Sequence, residues 1–122
     1  MKIHRDDGLG RLQISSYGDG YIEINQKKYC SGLTLIGQDI VEHANQHAAD
    51  LSMDTLQTLL TSAPEVILIG TGKCLVFPDR RMLKRVQEAG IGCDVMDSGA
   101  ACRTYNILTA EGREVAAWIL TP

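Results

Sequence analysis

The sequence predicts an α/β fold built on a mixed, largely parallel sheet, with an additional antiparallel β layer contributed by its N-terminal third. Three observations carry this reading. Val66-Ile67-Leu68-Ile69 is a continuous apolar run closed by Gly70, the pattern of a strand covered on both faces. Downstream of it, helix-like and strand-like segments alternate at intervals of about ten residues, the signature of βαβ units. Upstream, short stretches of period-two alternation lie between glycines at positions 8, 10, 18, 20 and 32, as in an antiparallel hairpin or meander.

Taken in order, Leu12-Gln13-Ile14 and Tyr21-Ile22-Glu23-Ile24 alternate apolar and polar residues across Tyr17-Gly18-Asp19-Gly20. That tetrapeptide is turn chemistry, because glycine accepts positive φ and aspartate bonds its own backbone. Leu33 to Ile36 adds a strand. Residues 39–51 fit neither period. Ser52 then supplies an N-cap for a helix carrying Met53, Leu56, Leu59 and Leu60 at helical spacing, and Pro64 ends it. After the central strand, Asp79 to Ala89 places Met82, Leu83 and Val86 on one face and stops at Gly90. Ile91 to Met96 returns as a strand. Ser98-Gly99 opens a last helix with Ala101, Tyr105 and Leu108 on one side, Gly112 closes it, and Val115 to Leu120 forms the final strand. No repeat, linker or boundary interrupts residues 1–122, so a single domain is expected.

At 122 residues the chain can bury roughly two thirds of its unfolded surface without staples. Its 44% apolar and 22% charged fractions are those of an ordinary globular domain. A net charge of -3 repels polyanions, which argues against nucleic-acid binding. The apolar runs fall well short of the ~20 residues of a membrane-spanning helix. Lys2 and Arg5 have no apolar stretch behind them, and Asp6 and Asp7 are foreign to a transit peptide, so a cytoplasmic protein is expected. In that setting Cys30, Cys74, Cys93 and Cys102 are read as thiols.

Two glycine-bearing strand exits are the candidate ligand site. Gly70-Thr71-Gly72-Lys73 follows the central strand, where glycines let backbone N–H groups approach an anion, although it lacks the spacing of a P-loop or dinucleotide fingerprint. Ser98-Gly99 begins a helix at the end of another strand, and in open α/β sheets crevices lie at such ends. Either turn also serves as an ordinary strand exit or, through Ser98 or Asp97, as an N-cap. Arg103, Thr104 and Asn106 add polar groups to the helix, and Arg103, if buried, requires a carboxylate such as Asp97 or Glu111, or an anion. Cys102 is the candidate reactive thiol, because a helix start lowers a thiol pKa, but no histidine lies near it in sequence. His43, His47 and Asp50 would share one face of a helix, yet without an H-E-x-x-H pattern they read as a polar surface, and no metal or cofactor is expected. Arg80, Arg81, Lys84 and Arg85 form a basic cluster suited to solvent or to an acidic protein partner.

Leu68-Ile69-Gly70-Thr71-Gly72, Phe77-Pro78, Gly90-Ile91-Gly92, Met96 through Leu108 and Glu111-Gly112-Arg113 together resemble the Mth-domain family. This family of unknown molecular function includes an adipogenesis-associated protein and a mitochondrial respiratory complex I assembly factor. Ser98 stands where the family has threonine, and Asp94 where it often has glutamate; both keep the functional group. The resemblance implies a three-layer α/β fold with a mixed central sheet and an extra β layer, and it implies no catalytic activity. The leading expectation is therefore a non-enzymatic protein-binding or complex-assembly module with a protein partner. The alternative is a small-molecule or anion-binding protein, or an enzyme, with its crevice between the Gly70–Gly72 loop and the Ser98 helix start and Arg103 as counter-ion. Homo-oligomerisation through edge strands is a third expectation.

Overall fold

A computed structural model gives the fold; it describes the backbone of residues 2–5 and the whole of residues 12–122. Asp6 and Asp7, read above as foreign to a transit peptide, and Gly8 and Gly10, read as punctuation, lie outside the described residues. The elements run β1 (Lys2–Arg5), β2 (Ile14–Gly18), β3 (Tyr21–Ile24), β4 (Lys27–Tyr29), β5 (Gly32–Ile36), β6 (Asp39–His43), α1 (Met53–Thr61), β7 (Val66–Gly70), α2 (Arg80–Glu88), β8 (Gly92–Met96), α3 (Ser98–Ala110) and β9 (Val115–Ile119).

Six strands form the central sheet in the order β1-β6-β5-β9-β7-β8, and β2-β3-β4 form a separate meander. The sheet is mixed in two halves. β9, β7 and β8 are parallel, as the βαβ reading expects. On the other side β5 runs antiparallel to both β9 and β6, and β6 antiparallel to β1. The physical reason is the connection between β5 and β6, only Gly37-Gln38, which leaves no room for a crossover helix. Gly37 takes φ +58° there, matching a tight hairpin turn. Residues 39–51, which fitted no period, divide into β6, a loop and a single 3₁₀ turn at Ala48–Asp50.

Each sheet face is covered by a different layer. Leu33, Leu35, Leu68, Ala117 and Ile119 pack against the meander residues Leu12, Ile22 and Ile24 and against Ala101, Cys102 and Tyr105 of α3. Ile67, Ile69, Ala116 and Trp118 on the opposite face pack against Leu56, Leu59 and Leu60 of α1 and Val86 of α2. All five residues of β7 are buried, as a strand sandwiched between helices must be. The caps follow the expected chemistry: Ser52 Oγ accepts from Thr55 N, Asp79 from Arg81 N, and Asp97 from Ala100 N.

Candidate functional site

The exits of β7 and β8 do meet, and they bond to one another. Gly72 N donates to Ser98 Oγ at 2.7 Å, and Ser98 N donates to the Gly72 carbonyl at 2.8 Å. Thr71 N donates to the Met96 carbonyl at 2.9 Å, while Thr71 Oγ1 donates to the Cys74 carbonyl and accepts from Val76 N. Ser98 is fully buried. The polar groups that would greet an anion thus satisfy each other, with Asp97 serving as the cap of α3. Gly70 is needed for close packing: a Cβ there would lie 2.9 Å from Ile119 Cγ2 and 3.0 Å from Ala101 Cβ.

Asn106 and Arg103 of α3 face the meander instead of that junction. Asn106 accepts from Ile14 N at 2.9 Å and donates to the Ile14 carbonyl at 2.8 Å, a two-point clasp on the end of β2. Arg103 is exposed, and its guanidinium donates to the Tyr17 hydroxyl and lies 5.9 Å from that ring's centre. Gly99 leaves space for the same tyrosine. Residues 99, 103 and 106 follow helical spacing, so one stripe of α3 meets β2. The carboxylate that a buried Arg103 would require is replaced by a phenol and solvent. Thr104 is half-buried.

Cys102 is fully buried among the core residues between α3 and the sheet. Burial pushes its thiol up to about 12, so the helix start does not yield a thiolate at neutral pH. Burial likewise pushes Cys93 up to about 11, while Cys30 and Cys74 are exposed.

His43 and His47 share no helix. His43 ends β6, His47 caps the 3₁₀ turn, and Asp50 Oδ2 accepts from Gln46 N and His47 N. The His43 ring lies over Gly32 and stacks on Trp118, with centroids 5.4 Å apart and planes 12° from parallel. Among the described residues no side chain partners its buried nitrogens or Trp118 Nε1. Burial lowers the His43 pKa, and the Leu33 backbone draws it part of the way back up. In the basic cluster Arg81 pairs with Asp79 at 2.8 Å and Arg85 approaches Gln57, leaving Arg80 and Lys84 exposed. Lys73 pairs with Asp19 at 3.0 Å.

Two features escaped the sequence reading. Leu75, Val76 and Phe77 are 52%, 50% and 66% exposed, and Phe77 is the only phenylalanine of the chain. They stand beside β8, which among the described residues pairs only with β7 and so leaves one edge open. A cleft of about 680 Å³ joins them, lined by Phe77, Leu83, Ile91 and Val95. The sequence signal was three consecutive apolar residues in a loop, without a period to bury them. The second feature is a cleft of about 860 Å³ over β5 and β6, walled by the first turns of α1.

A family profile described as "Protein of unknown function (DUF498/DUF598)" matches residues 14–120. The chain is 31% identical to the "13 kDa major membrane protein" of Francisella tularensis subsp. holarctica, with 98% of this chain and 99% of that one aligned. It is 27% identical to the "NADH dehydrogenase [ubiquinone] 1 alpha subcomplex assembly factor 3" of Xenopus tropicalis over 95% of its own length, and spans 64% of that relative. Among solved structures, a Bordetella parapertussis protein superposes with a TM-score of 0.85 at 34% identity, covering 93% of this chain and 98% of the other. A Mth938-like domain from Bordetella pertussis gives 0.75 at 29%, covering 98% and 92%.

Proposed function

Because this chain belongs to the DUF498/DUF598 family of proteins of unknown function, and among its relatives are assembly factors named for NADH dehydrogenase, we propose that it is a non-enzymatic docking module serving the assembly of such a complex. The observation that carries the proposal is the exposed Leu75-Val76-Phe77 loop beside the open edge of β8. An extended segment of a partner subunit adds to that edge by main-chain hydrogen bonds, its apolar side chains entering the cleft of Phe77, Leu83, Ile91 and Val95. Exposed Arg80 and Lys84 flank the loop and favour a segment that carries carboxylates. Burial of the Cys102 and Cys93 thiols supports docking over thiol chemistry.

The reading is tested by capture from native membranes with tagged wild type and with Phe77→Asp, quantifying NADH dehydrogenase subunits by mass spectrometry. Subunits enriched by wild type and lost from the variant are the expected result. Equal enrichment by both, or none by wild type, sinks the proposal. The alternative, an anion crevice between the Gly70–Gly72 loop and Ser98, has less support because Gly72 and Ser98 bond each other. Thermal stabilisation by phosphate or carboxylates that disappears in Arg103→Ala would reverse that preference. The proposal also places the protein in the cytoplasm, meeting membranes through its partner; among the described residues no helix is long and apolar enough to cross one.

A further inference from the structure

Backbone polar groups alternate sides along a strand, and two bonds fix which of them β8 turns toward β7. Gly92 N donates to the Glu65 carbonyl at 3.2 Å, and the Met96 carbonyl accepts from Thr71 N at 2.9 Å. The N–H and carbonyl groups of Cys93 and Val95 therefore point the other way, to the edge that no described strand covers. Side chains alternate as well. Cys93 and Val95 stand beside Ile67 and Ile69 in the register, on the face that α1 and α2 cover, whereas Asp94 stands beside Leu68 on the other face. Phe77, Leu83 and Ile91 extend the apolar side into the 680 Å³ cleft. Asp94 is exposed and, among the described residues, is the one charged residue of that lining; no described cation pairs with it.

Granting the docking function proposed above, we infer that the partner segment reads apolar–basic–apolar: two apolar residues, two positions apart, beside Cys93 and Val95, and a lysine or arginine between them, opposite Asp94. Neighbours across a strand pair share a face whichever way the added strand runs, so the pattern holds for parallel and antiparallel addition. A neutral residue in the middle leaves the Asp94 carboxylate unpaired where strand addition strips part of its water, and an acidic one meets like charge. Arg80 and Lys84 are absent from the cleft lining, so the carboxylates they favour belong to the part of the segment beyond the cleft. Asp94 also disfavours a second copy of β8 as the occupant, since antiparallel pairing centred on this residue sets it against its own counterpart.

The test titrates the full chain with the peptides acetyl-Thr-Val-X-Val-Thr-amide, carrying lysine, glutamine or glutamate at X, and follows backbone amide chemical shifts. The amides of residues 91–97 are expected to move most, with the lysine peptide bound about threefold tighter than the glutamine peptide and about tenfold tighter than the glutamate peptide. Asp94→Asn should erase the gap between lysine and glutamine, and Asp94→Lys should make the glutamate peptide the tightest. Unchanged amide shifts away from β8 show that both variants are folded. Equal binding of the three peptides, no saturation by the lysine peptide, a ranking that Asp94→Asn leaves unaltered, or shifts confined to other residues would each overturn the inference. So would shifts of residues 91–97 that depend on protein concentration without peptide, which would seat a second copy on the edge. No NADH dehydrogenase subunit enters this titration. Equal peptide affinities alongside subunit capture by wild type would therefore remove the pattern and keep the docking function, whereas selective peptide binding without capture would keep the pattern and remove that partner.

Discussion

The Asn106 amide meets the Ile14 N–H and carbonyl together, and no other side chain offers both groups from that position. Truncation strands two backbone groups in a partly buried interface, so Asn106→Ala should lower stability by about 1–3 kcal/mol in urea unfolding. Asn106→Asp should not rescue it, because the carboxylate still accepts from Ile14 N but opposes the carbonyl. His43 gives a pH dependence with a definite sign. Its folded pKa lies below the ordinary 6.5, so as the solution is acidified the unfolded chain takes up the proton first. Stability should therefore fall as pH drops below about 6.5 and stop responding to this group below its folded pKa. Unfolding free energies measured from pH 7 to 5 should show a steeper slope for wild type than for His43→Leu; identical slopes would mean that the ring titrates normally.

At the scale of elements, the strands and helices that caps and periods could specify are present. Ser52, Asp79 and Asp97 start the helices from one residue's side chain, and the apolar run of β7 needs no partner to be recognised. What local pattern could not carry was pairing. Lys27–Tyr29 has a single buried residue, and it is a strand because β3 lies beside it. Residues 39–51 fitted neither period, while the decisive fact for Asp39–His43 was a two-residue turn to β5. The same holds for the candidate site: both glycine exits were visible, but whether Gly72 and Ser98 face a ligand or each other depends on β7 and β8 being neighbours. Gly70 tests that junction. Gly70→Ala drives a methyl against Ala101 and Ile119 and should cost about 1–3 kcal/mol. Adding Ala101→Gly should restore part of it, a coupling readable by a double-mutant cycle.

For the whole molecule, function and folding separate at the surface. Leu75, Val76 and Phe77 lie outside both core clusters, so replacing them by serine, threonine and serine should leave stability within about 0.5 kcal/mol while abolishing partner capture. A large loss of stability would instead make the loop part of the fold. Their exposure is a property of the assembled tertiary structure, which is why the local sequence did not announce it. The position of β9 has a different consequence. It follows every other described strand in sequence and sits at the seam of the sheet, pairing with β5 on one side and β7 on the other. Without β9 the β1-β6-β5 and β7-β8 groups share no strand, so β5 and β7 are each left with an open edge until residues 115–119 pair with both. One strand thus acts as the keystone: it joins the two halves of the sheet and supplies residues to the core on both faces.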